Sequence, residues 1–152
     1  HLSIMAHPNH YNLDLCIDNK KIYKNGLIVS VEDSIDIDIS NSKFKVKLSN
    51  TFYDKKIFGV VQSYKQNNEY IINSLGEGGI WISDLNGEIQ NGDYITTSII
   101  SGYGCKQNDD ILHNYTVAKC CSNIDWTSIS NIIHFNNKTY KIIFIACTYH
   151  CG

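Results

Sequence analysis

Between residues 98 and 119 the chain gathers side chains able to do acid, base or nucleophilic chemistry: Ser98, Ser101, Lys106, Asp109, Asp110, His113 and Lys119. A serine beside a desolvated lysine makes a nucleophile–base dyad. Paired carboxylates can act as general acid and base, and Glu77 in GEGG with Asp93 in NGD is such a pair. The competing reading is local. NGDYITTSIISGYGCKQNDD (91–110) holds three glycines and three aspartates, the residues that supply positive φ and turn hydrogen bonds. The turn reading is favoured, with bends at Asn86-Gly87, at Asn91-Gly92-Asp93 and in SGYGCKQ.

A second group with ligating chemistry lies at the two ends. Cys147, His150 and Cys151 in CTYHCG, with His7 and His10 in HPNH, offer sulfur and imidazole donors of the kind zinc takes. The spacing is not that of a known finger, and in a continuing strand Cys147 and His150 point to opposite faces. No metal is assigned, and the segment reads as a final strand. The six cysteines, at 16, 105, 120, 121, 147 and 151, are sparse for a disulfide scaffold. Adjacent Cys120 and Cys121 would face opposite sides of a strand. Free, mostly buried thiols and a reducing compartment of synthesis are expected. GEGG is too short and isolated for a phosphate-binding loop, so no cofactor is expected.

The elements that must position these groups are strands. SIDIDIS (34–40) sets Ile35, Ile37 and Ile39 on one face and aspartates on the other, and KFKVKLS (43–49) repeats the pattern with lysines. Period-two alternation predicts half-buried antiparallel strands, here joined as a hairpin through Asn41-Ser42. Further strands are predicted at GLIVSVE (26–32), IFGVVQS (57–63), EYIINS (69–74), GIWIS (79–83), YITTS (94–98), YTVAK (115–119) and YKIIFIAC (140–147). GEGG, QNNE, LNGE, QNGD and FNNK read as turns. DWTSISNII (125–133), capped by Asp125, is the only helix candidate. Many short strands at close intervals predict one all-β sandwich or barrel-like domain over 26–152, preceded by an N-terminal arm over 1–25.

Composition narrows the function classes. A chain of 152 residues fits one domain, and a net charge of −2 argues against a nucleic-acid binder. All 13 basic residues are lysine, so the side chain best suited to bidentate phosphate recognition is missing. Abundant Ile, Asn, Lys and Tyr indicate AT-rich coding, as in a parasite, an AT-rich bacterium or a large DNA virus. No apolar run approaches the roughly 18 residues of a membrane span. The chain begins with His rather than Met, as expected of a fragment or a processed product.

The run IINSLGEGGIWISDLNGEIQNGDYITTSIISGYGCKQNDDILHNYTVAKCC (71–121), closed by FIACTYHCG (144–152), resembles the peptidase G2 family, with KKIFGVVQS (55–63) as the strand before it. These are C-terminal intramolecular chaperone domains of phage tail appendages and spikes, with related domains in virion proteins of large DNA viruses. The resemblance covers roughly 26–152. It implies a β-rich module that trimerises, brings three chains into register and, in some members, cuts itself free. HLSIMAHPNHYNLDLCIDNKK (1–21) does not match the acidic and aromatic segment of the appendage members, so no catalytic role is carried over.

The expected function is therefore a viral structural or assembly module, capsid-, penton- or fibre-associated, working as a homotrimer with other virion structural proteins. The alternative is an autoproteolytic chaperone using Glu77, Ser98, Lys106, Asp109 or Asp110. A third reading is a glycan-binding spike tip that stacks sugars on Trp81, Trp126 or Tyr103, although core packing accounts better for Trp81.

Overall fold

The computed structural model describes residues 8–13, 23–40, 42–66 and 69–152. They form eleven strands: β1 Pro8–Leu13, β2 Ile28–Ile37, β3 Ser42–Leu48, β4 Ile57–Gln66, β5 Glu69–Asn73, β6 Leu75–Ser83, β7 Tyr94–Thr97, β8 Gly104–Lys106, β9 Thr116–Cys120, β10 Ile132–Phe135 and β11 Lys138–His150. The protein is all-β. The predicted helix at 125–133 is only a 3-10 turn, Trp126–Ser128. Asp125 does cap it, accepting from the Thr127 backbone N–H at 3.2 Å. The isoleucines that follow are β-branched and favour extended backbone, and Ile132 and Ile133 enter β10 instead.

The strands make two small rings. The first runs β1-β3-β2-β4-β5 and closes because β1 is parallel to β3 and antiparallel to β5. Part of the predicted N-terminal arm thus supplies a barrel strand. The second runs β11-β6-β8-β7-β9 and closes through the antiparallel pairing of β9 with β11, with β10 added outside β11. Closure pairs strand edges that an open sheet would leave exposed.

The rings share a wall. Ile28 on β2 is the partner of Val60 on β4, and both side chains enter the second core beside Ile80, Ile82 and Ile95. The next residue on each strand, Val29 and Val61, enters the first core beside Val46, Tyr70 and Ile72. Alternation thus puts consecutive apolar residues into two different cores. Backbone bonds tie the wall to its neighbours: Gly26 donates to Val61, Ile28 to Gly102, Gly102 to Ser49 and Trp81 to Gly26, each at 2.8–2.9 Å.

Two sequence expectations are corrected. GEGG is part of β6 rather than a turn, and only Gly76 has positive φ (86°). Gly78 and Gly79 lie under the rings of Tyr149 and Phe144, which occupy the space a Cβ would need. SIDIDIS is the outer half of β2 rather than a strand with a buried face. Bulges shift its register against β3 after Val31 and again after Ser34, and Ile35, Ile37 and Ile39 are 46%, 82% and 103% exposed. The expected antiparallel pairing with β3 is present, with Asp33 opposite Lys45 and Asp36 opposite Lys43, but Ser42 is already in β3 opposite Ile37 rather than in the turn, and Asn41 lies outside the described residues.

The described cysteines are free; Cys105, Cys120 and Cys147 are buried, and Cys121 alone is exposed. β9 ends at Cys120, and Cys121 lies just beyond it. Burial pushes the Cys105 and Cys151 thiols up to about 12 and raises Cys147 as well. Among the described thiols a reagent should therefore modify Cys121 first, and Cys105, Cys120 and Cys147 only on unfolding; mass spectrometry of timed labelling checks this. Ile28→Ala removes a wall side chain with no exposed surface and should cost about 2–5 kcal/mol in urea denaturation. A loss below 1 kcal/mol would contradict the shared wall.

Candidate functional site

The loop between β8 and β9 is organised by Gln107, a buried amide with every bond directed inward to the loop. Its Nε2 donates to the Asp109 carbonyl (3.1 Å), to Asp109 Oδ1 (2.9 Å) and to the Ile111 carbonyl (2.7 Å). Its Oε1 accepts from Thr116 Oγ1 at 2.6 Å, and Thr116 Oγ1 accepts from the His113 backbone N–H at 3.0 Å. Buried polar groups must be satisfied in this way for the loop to hold one shape.

That frame brings Asp109 against His113. His113 Nε2 lies 3.0 Å from Asp109 Oδ2 and 3.1 Å from Oδ1. The imidazole stacks on Tyr115, with centroids 4.6 Å apart and planes at 17°, and Tyr115 meets Tyr53 at 4.7 Å. The hydrogen bond from His113 holds the Asp109 carboxyl below the usual aspartate range, helped by the Ile111 backbone N–H. Desolvation raises the Tyr115 hydroxyl, as do the charges of Asp109 and Tyr53. Chemically this is an oriented carboxylate–imidazole pair. The carboxylate fixes the ring through Nε2.

The other predicted residues are placed elsewhere. Ser98 Oγ is buried, donates to the Tyr103 carbonyl at 2.7 Å and accepts from the Ile100 backbone N–H at 3.2 Å, so it shapes a turn. Lys106 pairs with Asp93 at 3.8 Å, and Asp93 also accepts from the Gln90 backbone N–H. The Ser–Lys dyad is therefore not assembled. Asp110 and Ser101 are exposed, Lys119 is exposed on β9, and Glu77 is exposed on β6 opposite Thr148, not beside Asp93 in a carboxylate pair.

The terminal donors also stay apart. Cys147 is in the core, His150 meets the Tyr94 ring edge-on, and the Cys151 thiol donates to the Val117 carbonyl. Burial lowers the His150 pKa, with Lys119 adding to the effect. Among the described residues no group of three or more His, Cys, Asp or Glu side chains is placed to hold a metal ion. His7 and the His10 side chain lie outside the described residues. Of the proposed stacking aromatics, Trp126 is in the core with its Nε1 donating to the Ile89 carbonyl, and Tyr103 is buried. Trp81 is half-buried, with Lys24 Nζ 3.8 Å above its ring.

Sequence reasoning grouped His113 and Asp109 in one segment without pairing them, and missed Gln107 as the hub and Tyr53 and Tyr115 as the platform. Gln107 and Tyr115 lie within the same short segment, where Gln-x-Asp-x-x-x-His-x-Tyr is a findable spacing. Tyr53 comes from the distant β3–β4 connection, and no local pattern points to it. Comparison of the chain with protein-family models, with curated proteins and with solved structures gives no match.

The lowered Asp109 carboxyl has a pH consequence with a definite sign. Its contribution to stability is complete above the ordinary aspartate value of about 3.9 and is lost as pH falls through the lower folded value. NMR titration should show Asp109 titrating below that ordinary value, and His113→Ala should bring it back up. An Asp109 carboxyl unmoved by His113→Ala would show that the pair does not form in solution.

Proposed function

We propose that this chain is a structural assembly module of a virus particle that works as a homotrimer. The observation that carries the reading is the outer half of the β2–β3 ribbon. Past Val31, β2 has β3 on one side and no described strand on the other, and its isoleucines at 35, 37 and 39 face water. Apolar side chains grouped on an open edge are what a partner surface covers. The ribbon carries aspartates at 33, 36 and 38 on or just after β2 and lysines at 43, 45 and 47 on β3. Lys43 and Lys45 already pair with Glu69 and Glu32 of the same chain, so the isoleucines rather than the charges mark the partner surface. The number three and the virion setting come from the resemblance to the peptidase G2 family.

A second reading has its own support. Of the residues expected for self-cleavage, Asp109 is held against an imidazole, that of His113, which was not among them. In that reading a longer precursor is cut once: a water molecule adds to the scissile carbonyl as His113 takes its proton and passes it to the departing amine, with Asp109 holding the imidazole.

Native mass spectrometry of a longer upstream polypeptide separates the two. A trimer at full precursor mass is expected for the assembly module, and a trimer of shortened chains is expected for self-cleavage. In the latter case Asp109→Asn should leave the trimer uncut. Each covered isoleucine contributes about 1.5–3 kcal/mol, so Ile37→Lys with Ile39→Lys should weaken association by several orders of magnitude. Circular dichroism should be unchanged, because neither side chain is in a core. A stable monomer of the unsubstituted chain would overturn the assembly reading.

A further inference from the structure

Two exposed features at opposite ends of β8 have complementary chemistry. Past its last residue, the β8–β9 loop presents Asp110-Ile111-Leu112 to water. Ile111 and Leu112 are 61% and 56% exposed, and Asp110 is exposed beside them. The tip is braced from within: the Ile111 carbonyl accepts from Gln107 Nε2 at 2.7 Å, and the Ile111 backbone N–H donates to Asp109 Oδ1 at 3.2 Å. The buried hub thus holds two aliphatic side chains outward, and little conformational freedom is left to lose on docking. At the other end, just before β8, Tyr103 lines a hollow of about 420 Å³ with Leu27, Leu48 and Ile133. Lys24 stands at its lip, with Nζ 3.8 Å from the Trp81 ring centroid and 5.0 Å from that of Tyr103. Neither Asp110 nor Lys24 has an ion-pair partner among the described residues.

We propose that the Asp110-Ile111-Leu112 tip of one copy seats in this hollow of a second copy. Ile111 and Leu112 then pack among Leu27, Leu48 and Ile133, and the Asp110 carboxylate meets the Lys24 ammonium. The proposal rests on the assembly reading above and adds a second contact to the ribbon. Tip and hollow lie at opposite ends of β8, so they cannot meet within one chain. A contact between them joins unlike surfaces of two copies, and it closes a ring when the rotation between copies allows, as a trimer needs. Apolar walls with one cation at the lip select a partner that is both aliphatic and acidic. A basic segment would oppose Lys24, and a polar one would leave the walls without apolar cover. The aromatic rings keep the ammonium at the lip and leave its N–H groups to a carboxylate.

Sedimentation of the unsubstituted chain, Asp110→Lys, Lys24→Glu and the two together tests the pairing. Each single reversal should weaken association by about tenfold, and the double reversal should restore it to within about threefold of the unsubstituted chain. Ile111→Ser with Leu112→Ser should weaken it by about a hundredfold or more. These side chains are all exposed, and circular dichroism checks that each variant keeps its fold. Independently, p-benzoylphenylalanine in place of Leu112, in an equal mixture of light and heavy-isotope chains, should cross-link unlike copies through the segment carrying Leu27 or Ile133. Reversals that weaken nothing, or a double reversal no better than either single one, overturn the docking of tip in hollow. So does a cross-link to another part of the chain or only to a different protein. Each of these can occur while Ile37→Lys with Ile39→Lys still dissociates the oligomer, which leaves the assembly reading standing. A monomeric unsubstituted chain overturns both.

Discussion

The rest of the structure depends on a wall two strands wide that is buried on both faces. Ile28 and Val60 close one core, and Val29 and Val61 close the other. Fully burying each such side chain contributes about 1.5–3 kcal/mol, and here four of them do so within two short stretches of backbone. Neither ring is large enough to enclose much apolar volume alone. Sharing a wall lets each ring use the other's back as its floor. The requirement for close approach falls on glycine: a Cβ at Gly59 would meet the Asn73 backbone, and one at Gly104 would lie 2.5 Å from Ile95 and 3.3 Å from Ile28.

The wall also places the Asp109–His113 pair, through one carboxylate in the connection between β3 and β4. Buried Asp54 accepts from Ser30 Oγ on β2 at 2.6 Å and from the Lys56 backbone N–H at 2.9 Å. Its own backbone N–H donates to Thr97 Oγ1 on β7 at 2.9 Å. This carboxylate clamps the connection of the first ring onto a strand of the second. Tyr53, the preceding residue, has φ of 54°, a conformation that the clamp on either side must hold. From there its ring reaches Tyr115 and backs the stack on His113. The orientation of the imidazole therefore depends on packing between the rings as well as on its own loop.

Much of the architecture was legible because burial and turn chemistry leave strong local marks. GLIVSVE and IFGVVQS are continuous apolar runs, and both supply the doubly buried wall. Asn86-Gly87 and Asn91-Gly92 make turns with glycine φ of 106° and 93°, and Gly102 bends SGYGCKQ with φ of 81°. The errors have physical causes. GEGG looked like a turn because the rings that cover its glycines are on β11, about 70 residues away in the chain. SIDIDIS has the alternation of a half-buried strand, but burial needs a second surface, and the described residues do not provide one. The helix pattern at 125–133 lost to β-branched residues that pair with β11. β1 and β8 carry no clear period and exist through their partners.

Of the candidate site, the sequence marks the charged members and hides what holds them. Asp109 and His113 are four residues apart in an extended loop, a separation that in itself predicts no contact. Gln107 brings them together by bonding the loop to itself, and nothing distinguishes a hub glutamine from a surface one until its burial is known. The ribbon isoleucines are the opposite case: their pattern is loud and their environment in the single chain contradicts it. A pattern suited to burial at a place where the described residues offer no cover is what the proposed assembly reading rests on. Under that proposal the alternation in SIDIDIS would describe an interface rather than a core.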